Sequence, residues 1–192
     1  MNTTRLEAFS DAVIAIIMTI MVLELKVPHG TDLASLTPVM PTFFGYLLSF
    51  VYLGIYWNNH HHMLHATSKV NGAILWANLN LLFWLSLFPF ATSWIGENHV
   101  ESTPVAVYGG LLLMAAISYT ILQTTIVRFD KNANALLAQA IGSDLKGKIS
   151  MVCYAAAIPL AFFNSWISIG LFVLVAMIWL VPDRRIEKKL SE

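Results

Sequence analysis

RLEAFSDAVIAIIMTIMVLEL, residues 5–25, is apolar for long enough to cross a bilayer, which asks for about 20 residues of helix. Yet Arg5, Glu7, Ser10 and Asp11 crowd its first two turns, and Thr19 puts a hydroxyl in its middle. An ionisable group carried into lipid is costly, so Asp11 needs either a partner on another helix or a task. The run lacks the short apolar core followed by a small-residue cleavage site that marks a cleaved signal peptide. It reads as a permanent membrane helix.

The rest of the chain agrees. Of 192 residues, 57% are hydrophobic and 11% charged, where a soluble domain carries about 25% charged. Too little polar surface exists to cover a soluble domain, so an all-α integral membrane protein is expected. The net charge is zero, and no basic face points to nucleic acid. The single Cys153 excludes an internal disulfide. No glycine-rich nucleotide loop and no soluble domain appear, and no cofactor is expected.

Apolar runs predict helices at about 6–27, 41–63, 73–95 and 104–127, separated by turn chemistry at Pro28, Gly30 and Pro38, at Ser68, Asn71 and Gly72, and from Gly96 to Pro104. The stretch 149–181 is long for one span and short for two, with Asn164-Ser165 near its middle. Charge bias decides between them. With six spans, Arg5, Lys69, Arg128, Lys131, Lys146, Lys148, Arg184, Arg185, Lys188 and Lys189 share one side, against Lys26 on the other. Five spans would divide the same 11 positive charges six to five. The asymmetric solution obeys the positive-inside rule. It gives two short helices at about 149–163 and 166–181, both termini in the cytoplasm, and a single six-helix domain over 1–192. At 1.5 Å per residue each short helix is only about 22 Å long. The linker 130–147 is expected to form a short interfacial helix or connector.

This topology sets depth. Asp11 on the first helix, His60 near the end of the second ("YWNNHHHMLHA") and Asn78 and Asn80 early in the third ("NLNLLFWLSLFPF") all fall at one level near the cytoplasmic side. A shared hydrogen-bonded cluster is expected there, with His60 as the first candidate partner of Asp11. His61 and His65 have the i, i+4 spacing of metal ligands. His29 and His99 lie at the opposite side, however, so no second helix supplies partners and no metal site is expected.

Those residues also carry a resemblance. "RLEAFSD" at 5–11 fits an Arg-x-x-x-Phe-Ser-Asp motif opening a first membrane helix, and "YWNNHH" and "NLLFWLSLFPFAT" resemble its accompanying signatures. The chain resembles the prokaryotic relatives of the endosomal and lysosomal potassium channel, a family without a TVGYG filter. The likeness is strong over the first three helices and rests on hydropathy over the last three. It implies a homotetramer in a bacterial cell membrane, with four first helices around a central pore that passes potassium and other monovalent cations with moderate selectivity. Arg5, Phe9, Ser10, Asp11 and His60 would anchor the first helix. Ile16, Ile20 and Leu23 would form the pore constriction, with Thr19 beside them for selectivity.

A helical wheel is consistent with that division. At 100° per residue, and with Ile16 set at zero, Phe9, Ala12, Thr19, Ile20 and Leu23 fall within about 60° of it, while Asp11 lies about 140° away. One helix can thus present an apolar stripe to a pore and a charged face to its neighbours. An aliphatic ring gates by excluding water. The competing expectation is a proton-coupled transporter with an Asp11/His60 relay, although neither internal repeats nor broken midplane helices are evident in the sequence. An enzyme is not expected, since convergent acid and base groups occur only at that one level.

Overall fold

The computed structural model describes residues 3–67, 69–129 and 144–180. Its elements are α1 (Thr3–Leu23), a 3-10 segment (Leu33–Val39), α2 (Met40–His65), α3 (Gly72–Ser86), α4 (Phe88–Glu97), α5 (Ser102–Phe129), α6 (Leu145–Leu160) and α7 (Ser165–Leu180). No strand occurs among the described residues.

The helix ends follow local chemistry. α1 stops at Leu23, short of the expected 27, as Pro28 approaches and disfavours helical backbone at the residue before it. Pro41 occupies the first turn of α2, where a missing N–H costs nothing. The Asn71 side chain accepts from the Ile74 N–H at 2.9 Å and starts α3. The single helix expected over 73–95 is corrected: α3 and α4 form one apolar stretch of 26 residues broken at Leu87. Pro89 causes the break, because it has no N–H to give and its ring crowds the carbonyl four residues back. α6 begins at Leu145, four residues before the expected 149, with Asp144 accepting from the Gly147 N–H. The linker expected over 130–147 otherwise lies outside the described residues.

Four stretches are long and apolar enough to cross a membrane: Thr3–Leu23, Leu33–His65, Gly72–Glu97 and Ser102–Phe129. α6 and α7 have 16 residues each, about 24 Å against a hydrocarbon core of about 30 Å. They are joined through Ala161–Asn164, in which Phe163 is exposed, as is Trp166 in the first turn of α7.

α1 packs on α2, α3 and α4, while α5 runs behind them against α3, α6 and α7. Leu53, Ile74, Leu81, Leu85, Phe88, Leu112 and Phe172 fill the core between them. Polar side chains add cross-links that lipid cannot compete for. Ser49 on α2 bonds Thr92 of α4 at 2.7 Å and Tyr108 of α5 at 2.9 Å. Tyr52 donates to the Phe172 carbonyl at 2.6 Å, and Asn80 donates to Ser118 at 2.7 Å. Gly96 lets α4 cross the start of α2, since a Cβ there would come within 2.6 Å of the Thr42 backbone.

The anchored and open faces of the first helix

α1 is two-faced. Leu6, Ser10, Ile14, Ile17 and Met21 recur at helical spacing and are buried against its three neighbours. Within that face Ser10, Asn78 and His60 are all 0% exposed and join three helices in one chain of hydrogen bonds. Ser10 Oγ donates to the Leu6 carbonyl at 2.8 Å, which uses its only proton. It therefore accepts from Asn78 Nδ2, at 2.9 Å. That fixes the amide, so Asn78 Oδ1 faces His60 Nε2 at 2.7 Å and must accept from it. His60 is thereby held as the Nε2–H tautomer, with Nδ1 a buried lone pair that finds no partner among the described residues.

Asp11 is not part of this chain. The expected Asp11–His60 pair is corrected: Asp11 Oδ1 accepts from the Trp57 indole N–H at 3.0 Å, one turn up α2 from His60. A direct Asp11/His60 proton relay is therefore absent. Glu7 pairs instead with His61, whose Nδ1 lies 2.7 Å from Glu7 Oε1, and the His61 ring stacks between Trp57 and His65. His61 thus ties α2 to α1, and His65 stacks on its ring. Among the described residues no cluster of three or more His, Cys, Asp or Glu side chains could hold a metal.

The other face of α1 is open. Phe9 is 49% exposed, Ile16 56%, Ile20 42% and Leu23 79%, while Ile17, one residue from Ile16, is 4% exposed. Ala12 and Thr19 are exposed on the same side. Arg5 and Phe9, expected in the anchoring set, lie on this face and outside the buried chain. Thr19 Oγ1 donates back to the Ile16 carbonyl at 2.8 Å, so its proton is spent within the helix and its oxygen lone pairs remain available. Ile16 and Ile20 also border an open groove of about 630 Å³ against Phe90, Ser93 and Trp94 of α4, with Glu24 and Glu97 among its lining. Beyond the end of α1, Lys26 bonds Glu97 at 2.5 Å, and that carboxylate raises the lysine above its usual range.

The sequence put Asn78 in the expected hydrogen-bonded cluster but did not show its central role, nor Trp57 and Glu7 as contacts. Trp57 lies three residues before His60 and four before His61, but that spacing alone does not show which side of α2 meets α1.

The model of the endosomal/lysosomal potassium channel TMEM175 family matches residues 5–89, which hold α1, the buried hydrogen-bond chain and the break at Leu87. A protein from Chryseobacterium sp. strain P1-3 named a potassium channel is 57% identical over 192 residues, all of both chains. The crystal structure of a lysosomal potassium-selective channel TMEM175 homolog from Chamaesiphon minutus superposes with a TM-score of 0.79 at 28% identity, covering 93% of this chain and 96% of that one. Chicken endosomal/lysosomal proton channel TMEM175 is 28% identical over 147 residues, 68% of this chain and 29% of its own length. The family and these relatives are channels, not enzymes. An identity of 57% over the full length of one relative and a shared fold with another settle the classification: the chain belongs to the TMEM175 family of membrane channels.

Proposed function

We propose that the chain is one subunit of a homotetrameric, moderately selective, potassium-permeable cation channel of the bacterial cell membrane. Its six helical segments lie across the bilayer with both termini in the cytoplasm. Four copies of α1 surround the pore, Ile16, Ile20 and Leu23 form a hydrophobic constriction, and Thr19 contributes to selectivity. The observation that carries this reading is the division of α1. One face is locked into the subunit by apolar packing and the Ser10–Asn78–His60 chain, while the stripe through Ile16, Thr19, Ile20 and Leu23 is left uncovered within the subunit. The names of the relatives support potassium as the permeant ion.

In such a pore the stacked aliphatic rings exclude water and raise the ion's barrier, and opening means widening them by tilt or rotation of α1. Ile16→Asn keeps similar bulk but offers donors and acceptors to water. It is expected to raise basal potassium and sodium flux together, and a barrier lowered by ~1.4 kcal/mol would give about a tenfold increase. Ile17→Asn is the control, since Ile17 is buried against neighbouring helices, and it is expected to harm packing without opening the pore. Flux into proteoliposomes at equal amounts of assembled protein decides. Equal leak from both variants, or leak from Ile17→Asn alone, would sink the assignment of the pore face.

A further inference from the structure

α2 has a second side, turned away from α1. Tyr52, Tyr56 and Asn59, spaced four and three residues apart, line a partly enclosed cavity of about 50 Å³ between α2, α5, α6 and α7. Tyr119, Tyr154 and Trp179 complete a wall of five aromatic rings. Tyr56 and Tyr119 meet edge to face at 6.1 Å, and Tyr52 and Tyr154 do so at 6.2 Å. Asp144 is the only charged residue lining the cavity among the described residues, and it is an acid. Its carboxylate is given room by Gly147, where a Cβ would come within 2.6 Å of Oδ2.

This lining selects by chemistry. Among the described lining residues the one charge is a carboxylate, which disfavours an anion. The carboxylate and surrounding hydroxyls would be wasted on a purely apolar guest. Aromatic faces attract an ammonium group through the ring quadrupole, most strongly when it leaves water. The chain already uses one of these rings so, for Lys146 holds its ammonium 6.0 Å from the centre of the Trp179 ring. The volume corresponds to one or two waters at ~30 Å³ each, enough for an ammonium head whose tail remains at the mouth.

We propose that this cavity binds the ammonium head of a protonated primary amine, held between the tyrosine and tryptophan rings and the Asp144 carboxylate. The site lies across α2 from the pore stripe and is independent of the channel reading, so it is tested by binding and not by flux. The probe is n-butylammonium, titrated calorimetrically into the full-length detergent-solubilised protein at pH 7 with protein-free micelles as reference. n-Butanol is the neutral comparison. Saturable binding at least tenfold tighter than that of butanol is expected. Trp179→Leu and Asp144→Asn are each expected to weaken it at least tenfold, with wild-type thermal unfolding confirming their fold. Gly147→Ala, which swings the carboxylate aside without touching the rings, is expected to weaken it in the same direction. Butanol binding as tightly as butylammonium would make the cavity a mere apolar void. No saturable binding, or binding that survives both Trp179→Leu and Asp144→Asn, would equally overturn the proposal.

Discussion

Asn78 is the residue on which the anchoring of α1 turns, because it links Ser10 to His60. Truncating it to alanine leaves a buried hydroxyl oxygen and a buried imidazole N–H without partners. Each unsatisfied group costs about 1–3 kcal/mol. Asn78→Ala is therefore expected to lower thermal stability in lipid nanodiscs by a few kcal/mol in all. Asp11→Asn is expected to cost much less, since an amide oxygen still accepts from the Trp57 indole. Thermal unfolding of the two variants side by side checks the ranking. Comparable losses would mean that the buried triad is not the principal lock. That His60 and Asn78 share a level with the first turns of α1 was legible in the sequence, because 1.5 Å per residue sets distance along each helix. Azimuth was not. Trp57 and His60 sit about 60° apart on α2 at 100° per residue, and only the rotation of α2 against its neighbours sends the first to Asp11 and the second to Asn78.

At the scale of the element, α1 was the most legible part of the chain. Its motif, its apolar run and its stripe are all local, and the buried set Leu6, Ser10, Ile14, Ile17 and Met21 lies on the side of the wheel away from Ile16. The third span was less so. "LFPFAT" carries the breaker Pro89, but a proline within an apolar run either kinks a spanning helix or ends it, and neighbouring packing decides which. Here the helix breaks at Leu87, and the two halves together make an apolar stretch of 26 residues. Thr19 offers the sharpest test on α1 itself. Its proton is committed to the Ile16 carbonyl, so in the proposed pore a cation would meet oxygen lone pairs and not a competing donor. Thr19→Val keeps the β-branched shape and removes that oxygen. Discrimination of potassium over sodium is expected to fall, by up to about tenfold if the hydroxyls supply ~1.4 kcal/mol, while flux continues. Reversal potentials under mixed-ion gradients read this directly. Unchanged values would remove Thr19 from the selectivity step.

Across the whole molecule, the proposed tetramer raises the question of why α1 would meet three copies of itself when lipid accepts an isoleucine as readily as another helix does. Apolar exposure alone gives no answer, and for that reason assembly could not be read from hydropathy. The polar residues on the open side are more telling. Arg5 and Thr19 share the exposed face with Phe9, Ile16 and Ile20, and Glu24 lies just beyond its far end. Water at the two ends of the proposed constriction would solvate Arg5 and Glu24, whereas the acyl chains would not. If four copies of α1 meet around a central axis, a cysteine on the stripe should find its counterpart and one on the buried face should not. On a Cys153→Ser background, which removes the single native thiol, Ile20→Cys is expected to form intersubunit disulfides under mild oxidation, since bridging needs Cα atoms only about 4.4–6.8 Å apart. Ile17→Cys, 4% exposed and packed within its own subunit, is expected to stay reduced. Native mass spectrometry of the same samples should count four subunits. A monomer, or crosslinking at position 17 in preference to 20, would show that α1 meets lipid along this stripe and that the conduction path lies elsewhere.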